Sequence, residues 1–226
     1  MKKKLVFLVC LLISAGLASA LGKESIAIPI RSLPNTLSAD IPTPAADLPN
    51  LVLTLQDLPA GFVEMPLPTM QKLVSGLQTL KPASVFGYNK NDDQHFQIIL
   101  GFTQKLTNQI ERAKFDADMR EDVFAKEFSK GLNSSGKNEY QFTNLTNLTL
   151  EEKIGEVSRG WTNQGKIQGV TMNLEIAVFR RGKIGSYLMI LYVDGKKPAI
   201  TMSSVARQLD KRIVELTPDL TQPVDS

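Results

Sequence analysis

Residues 171–193, TMNLEIAVFRRGKIGSYLMILYV, leave the chain few choices. Met172, Leu174, Ile176 and Val178 alternate with Thr171, Asn173 and Glu175, the period-two pattern of a strand with one buried face. RRGK at 180–183 follows, with Gly182 free to take a positive φ, and the apolar pattern restarts at once. Strands joined by so short a turn pair antiparallel. SYLMILYV is apolar almost without a break, so this strand is expected at the centre of a sheet and covered on both faces. With a partner read upstream, the strands fall at 150–159, 168–179 and 184–193 as a three-stranded meander.

A second sheet signal precedes it. ASVFGYNKNDDQHFQIILGFTQ reads as a hairpin turning at Asn91, Asp92 and Asp93. Phe96, Ile98, Leu100 and Phe102 share one face, and His95, Gln97, Ile99 and Thr103 the other. Helical spacing marks three further runs. Met70, Leu73, Leu77 and Leu80 form the first. The longest covers NQIERAKFDADMREDVFAKEFSKGLN, with a stripe of Ile110, Ala113, Ala117, Phe124 and Phe128 widened by Phe115 and Val123 and closed by Gly131. The last has Pro198 in its first turn and buries Met202, Val205, Leu209, Ile213 and Leu216. Hairpin plus meander with helices packed on the sheet is an α+β fold, antiparallel throughout.

Outside this domain the composition changes. MKKK, the apolar run LVFLVCLLI and the small-residue stretch SAGLASA form a secretory signal over 1–20, with cleavage expected after Ala20. The apolar run is too short for a comfortable membrane span, so the mature chain is expected to have none. Residues 21–50 repeat Pro among Ser, Thr, Ala and Asp and read as an extended tether. A single domain is expected over 51–217, with a flexible tail at 218–226.

The leader also carries the excess charge. The chain holds 26 Lys+Arg against 23 Asp+Glu, and Lys2, Lys3 and Lys4 fall in the leader without an acid. The mature chain is thus neutral and lacks the basic footprint of a nucleic-acid binder. The single cysteine, Cys10, leaves with the leader, removing disulfides, thiol nucleophiles and thiolate metal sites.

The domain opens on DLPAGF, Asp57 to Phe62, where an apolar run stops, turns through Pro59 and Gly61, and restarts on Phe62. This box, KIGEVSRGW, VFRRGKIG and VARQLDKRI, in that order, resemble bacterial exported α+β domains of unknown function that open with a Leu-Pro-x-Gly-Phe/Trp box. The matching positions are Leu58 to Phe62, Ile154 to Ser158, Phe179 to Gly182 and Ala206 to Ile213. The architecture is also distantly similar to PsbP, the extrinsic photosystem II protein. That resemblance implies a non-enzymatic accessory role, in the bacterial periplasm or outside the cell, or in the thylakoid lumen of a photosynthetic organism.

The side-chain chemistry points the same way. One histidine, His95, lies beside a turn, and no G-x-S-x-G elbow, P-loop or G-x-G-x-x-G occurs. No metal site or cofactor is expected. Asp116, Asp118, Glu121 and Asp122 lack the Gly and final Glu of a calcium loop and read as a solvated helix face, with Asp116–Arg120 and Asp122–Lys126 as i,i+4 pairs. Glu151, Glu152 and Glu156 are the carboxylates available to a hydrolase; Glu152 and Glu156 are expected on one strand face, answering Arg180 and Arg181. In the meander, the loop at 160–167 and the turn at 194–197 emerge at one end and gather Trp161, Lys166, Lys196 and Lys197 as a candidate binding surface. The expected function is an exported, non-catalytic domain that docks to a protein complex or envelope component, with a carboxylate-dependent extracytoplasmic hydrolase as the alternative.

Overall fold

The computed structural model describes residues 51–71, 82–126, 140–143, 145–167 and 169–221. The expected signal, the tether, most of the first helix and the end of the longest helix lie outside them.

Among the described residues eight strands build one antiparallel sheet: β1 (Val63–Glu64), β2 (Ser84–Asn91), β3 (Phe96–Lys105), β4 (Tyr140–Phe142), β5 (Thr146–Leu148), β6 (Val157–Ile167), β7 (Val170–Arg181) and β8 (Ile184–Val193). The spatial order is β1-β2-β3-β8-β7-β6-β4, and β5 also pairs with β6. Helices among the described residues include α1 (Gln109–Arg120), between β3 and β4, and, after β8, α2 (Met202–Leu216) and the single turn α3 (Pro218–Thr221).

The α+β fold is as the alternation dictates. β8 has the bounds expected from its sequence and lies mid-sheet, between β3 and β7. Its Leu188 and Ile190 face one core, and Leu191 faces the other. The first core joins Ile98, Leu100, Phe102, Trp161, Leu174, Ile176 and Val178 to Phe115 and Met119 of α1. The second joins Phe86, Ile99, Ala177 and Phe179 to Leu51, Leu53 and Phe62, and to Met202, Val205, Leu209 and Ile213 of α2. Burial on both faces of one sheet gives a domain of this size two apolar layers without a disulfide.

Four local expectations fail. The first strand of the meander is not 150–159 but β6, which pairs with β7 from Val157↔Arg180 to Ile167↔Val170. Residues 160–167, read as a loop, are therefore strand. Two glycines and a polar Thr-Asn-Gln run hide the alternation of Trp161, Asn163, Gly165 and Ile167, whose side is inward. The longest helix is broken: α1 ends at Arg120, and Asp122 takes φ 53°, the left-handed region. Its buried positions are Phe115 and Met119, while Ile110, expected in the core, is 81% exposed. In α2, Leu216 is exposed and Ala206 is buried instead. That helix begins at Met202 rather than at Pro198, because the Thr201 side chain caps the N–H of Ser204. Finally, α3 occupies 218–221, where a free tail was expected to start, and its Leu220 carbonyl accepts the Lys183 N–H at 2.9 Å.

Candidate functional site

The sheet has two ends of different character. At one end lie the β7–β8 turn at Gly182–Lys183, the start of β2 and the entry to β6. Arg180 and Arg181 close β7 there with their side chains on opposite sides of the sheet. Arg180 grips Asp116 of α1 with both arms of the guanidinium, Nε to Oδ1 at 2.7 Å and Nη2 to Oδ2 at 2.8 Å. Its Nη1 donates to Glu156 and to the Gly182 carbonyl, and the Gly182 N–H donates to Glu156 at 2.8 Å. Hydrogen bonding to Asp116, working against desolvation, and then to Glu156 raises the pKa of Arg180 further above its ordinary value.

Across the sheet, Arg181 donates from Nε to Asp210 Oδ1 of α2 at 2.8 Å and from Nη2 to the other oxygen. Asp210 also accepts the Gly155 N–H at 3.0 Å. Gly155 has φ 62°, and a Cβ there would meet the Arg180 carbonyl at 2.5 Å, so the tight entry into β6 requires glycine. At the opening box, Asp57 accepts from the Thr54 N–H and hydroxyl, at 2.6 and 2.8 Å, and from Arg212 Nη1 of α2 at 3.0 Å. Lys90 of β2 donates to the Ala60 carbonyl at 2.8 Å across the turn at Gly61, where φ is 93°. This corner is a clasp that pins Leu58 and Phe62 into the core.

The four boxes thus meet as a set of ion pairs: Asp57–Arg212, Glu156–Arg180, Arg181–Asp210 and, from α1, Asp116–Arg180. Asp116 was read as solvated and paired with Arg120, but it reaches inward because its position on α1 faces the end of β7. Asp122, expected to pair with Lys126, instead accepts from Trp161 Nε1 at 3.1 Å and Arg159 Nε at 3.4 Å. The helix break turns its carboxylate toward β6.

The hydrolase carboxylates do not converge. Glu156 is bound as above, Glu152 pairs with Arg207 of α2 rather than with the arginine turn, and the Glu151 N–H donates to Ser203. None of the three lies on a strand, since β6 starts at Val157. His95 is held on Asp92 across its turn, Nδ1 to Oδ1 at 3.1 Å. Among the described residues no group of three His, Cys, Asp or Glu is placed to hold a metal ion.

The opposite end carries the 92–95 turn, the β6–β7 turn and the segment after β8. It brings together Lys166, opposite Thr171, and exposed Lys196 and Lys197. Lys196 Nζ donates to the Asp93 carbonyl at 3.1 Å, tying two turns together. Trp161 does not join them. It lies within β6 opposite Ile176, is 2% exposed, and packs against Phe124. A tryptophan in the middle of a paired strand supports the core and offers no surface. Missed by the sequence reading was Gln97, fully buried. Its Oε1 accepts the Ala199 and Ile200 N–H groups at 2.8 and 3.2 Å, and its Nε2 donates to the Ile200 carbonyl at 2.7 Å. An inward amide in an otherwise apolar strand was the available signal.

Fold and charge pairing together define an α+β domain whose sheet is locked to its helices by arginine–carboxylate clasps. No protein-family model matches the chain, and no curated protein matches it. Among solved structures it is similar to LpqN, involved in cell envelope biogenesis of Mycobacterium tuberculosis, at 15% identity over 68% of this chain and 78% of that one, with a TM-score of 0.33. It is also similar to the Saccharomyces cerevisiae Ran-binding protein Mog1p, at 10% identity over 70% of this chain and 86% of that one, with a TM-score of 0.28. Likenesses this distant carry no functional argument. No helix among the described residues is long and apolar enough to cross a membrane.

Proposed function

We propose that the chain is an exported, non-catalytic binding domain that docks to a protein complex or envelope component through its lysine-bearing end. The observation that carries this is the fate of the box residues. Asp57, Glu156, Arg180, Arg181, Asp210 and Arg212 all spend their charge on holding elements together. Groups locked in ion pairs between elements lack the free path to substrate that a general acid or base needs. At the other end Lys166 and Lys197 project beside the turn that Lys196 fixes. Lysines on a braced turn steer an acidic partner surface without forming a catalytic constellation.

The test is recovery from the native envelope fraction with the full exported protein as bait. The wild type is expected to recover a defined partner, in a salt-sensitive manner. The variant Lys166→Ala/Lys196→Ala/Lys197→Ala is expected to lose it while melting at nearly the same temperature. Equal recovery by the variant refutes the surface, and turnover of an envelope substrate by the purified protein refutes the non-catalytic reading.

A further inference from the structure

β6 and β7 change character along one face of the sheet. Near the arginine turn that face is core, with Ala177 and Phe179 of β7 packed beside Leu188 of β8 and α2. Toward the lysine end the same face is polar. Thr162, Gln164 and Lys166 of β6 stand opposite Glu175, Asn173 and Thr171 of β7, and none of the six is buried. Tyr192 of β8, opposite Asn173, and exposed Asp194 just beyond it carry the strip onto a third strand. The reverse side of the same stretch is buried, with Met172, Leu174 and Leu191 in the other core. β6, β7 and β8 lie inside the sheet, between β4 and β3, so these polar side chains are not the guard that an edge strand carries against stray pairing.

The strip is joined by side-chain hydrogen bonds. Gln164 Nε2 donates to Asn173 Oδ1 at 3.4 Å, and Asn173 Nδ2 donates to Asp194 Oδ1 at 3.0 Å. Beside this row the Tyr192 hydroxyl donates to Glu175 Oε1 at 2.9 Å. These bonds orient the amide and carboxylate planes and use only part of their capacity, because a primary amide has two donor hydrogens and two acceptor sites, and a carboxylate has about four acceptor sites. Neighbouring strands are about 4.8 Å apart and alternate residues along one strand about 6.8 Å apart, so the row repeats donors and acceptors in both directions.

This composition selects the occupant. The centre of a protein–protein interface is built on aromatic and other apolar anchors. The strip has none exposed. Among the described residues the exposed large apolar side chains are Leu55, Val63, Leu67, Ile110, Val214 and Leu216, all on other elements. A polysaccharide needs no such anchor, since each of its hydroxyls both donates and accepts, and amides and carboxylates supply matching pairs. Charge adds a second requirement. Lys166 stands at the end of the strip, and Lys196 and Lys197 follow Asp194 in the next turn, all three exposed. Lys196 bonds a neutral carbonyl and so keeps its charge for a ligand. Three cations at one end complement acidic groups on the chain that lies there.

We propose that this strip binds a hydroxyl-rich polysaccharide bearing acidic groups, with Gln164, Asn173 and Asp194 taking its hydroxyls and the lysine end its anionic groups. This names the envelope component in the function proposed above and rests on that reading.

Affinity electrophoresis of the full exported protein tests it. The probes are polysaccharide of the native envelope freed of protein by protease, dextran as a neutral chain, and polyglutamate as an acidic polypeptide. The wild type is expected to bind the envelope polysaccharide at least about ten-fold more tightly than either control. Gln164→Ala/Asn173→Ala is expected to weaken polysaccharide binding about ten-fold, the effect of losing two hydrogen-bonding side chains, and to leave retention by polyglutamate unchanged. If the double variant melts below wild type, Gln164→Ala at its exposed position decides alone, with a fall of about three-fold. The proposal is overturned by no binding of the envelope polysaccharide, by equal retention on dextran or polyglutamate, or by amide variants that bind like wild type. A protein partner recovered through the lysines without polysaccharide binding would sink this inference and leave the docking function standing. No recovered partner and no polysaccharide binding would sink both.

Discussion

Replacing Arg180 with Met removes a guanidinium whose side chain is 11% exposed, and it strands Asp116 at 17% and Glu156 at 37%. Breaking a buried ion pair by deleting one partner costs about 3–5 kcal/mol, because the other charge is left without compensation. Glu156 reaches water and so adds at most the ~1 kcal/mol of an exposed pair. Asp116, gripped by two parallel bonds, carries most of the loss. The expected cost is about 3 kcal/mol, and at about 2–4 °C per kcal/mol for a domain of this size the melting temperature should fall roughly 6–12 °C. Urea melts of wild type, Arg180→Met, Asp116→Asn and the double variant make a thermodynamic cycle. Residues in one ion-pair network are expected to couple by about 1 kcal/mol or more. A loss below about 0.5 kcal/mol for Arg180→Met, or simple additivity in the cycle, would refute the view that the arginine turn exists to fasten the fold.

Three other outcomes follow from the packing. Leu188→Ala, in the doubly covered central strand, should cost about 2–5 kcal/mol in the same melts; a near-neutral result would mean that β8 is not buried. Gly101→Ala places a Cβ 2.3 Å from the Phe86 ring, so the ring must move, and a loss of about 1–3 kcal/mol is expected. Trp161→Phe keeps most of the core volume but takes the indole donor from Asp122. It should cost about 1–3 kcal/mol, with the cost largely cancelled in an Asp122→Asn background.

The sheet was legible where one physical signal dominated. β3, β7 and β8 alternate or run apolar without interruption, and the bounds expected for β7 and β8 came within two residues. β6 was not, because its inward positions include Asn163 and Gly165, which no hydropathy pattern separates from a loop. Its strand is fixed by the eleven-residue register with β7, a tertiary fact. The four boxes were legible as boxes and opaque in purpose. Asp57, Glu156, Arg180 and Asp210 lie up to 153 positions apart in number, and only the folded sheet brings each to its partner. Periodicity also misled on α1, where Ile110 fits an apolar stripe yet faces water. There Phe115, set against Gly185 and Tyr187, and the pull of Arg180 on Asp116 choose the buried side.

The bonding of Leu51 and Leu220 has a consequence for how the domain can be rewired. The Leu51 N–H donates to Ser84 at the start of β2, and the Leu220 carbonyl accepts from Lys183 in the β7–β8 turn. Ser84 and Ser186 flank Thr103 on successive strands and Lys183 lies three residues before Ser186, so entry and exit lie two strand spacings across the sheet and three residues along it, roughly 14 Å apart. A linker of a few residues can therefore close the fold into a ring. The cut for a circular permutant then belongs at Gly195, in an exposed turn at the far end. The same proximity lets the whole unit be grafted into a surface loop of a host protein, where β7, about 40 Å long, would hold the lysines out from the host like a post.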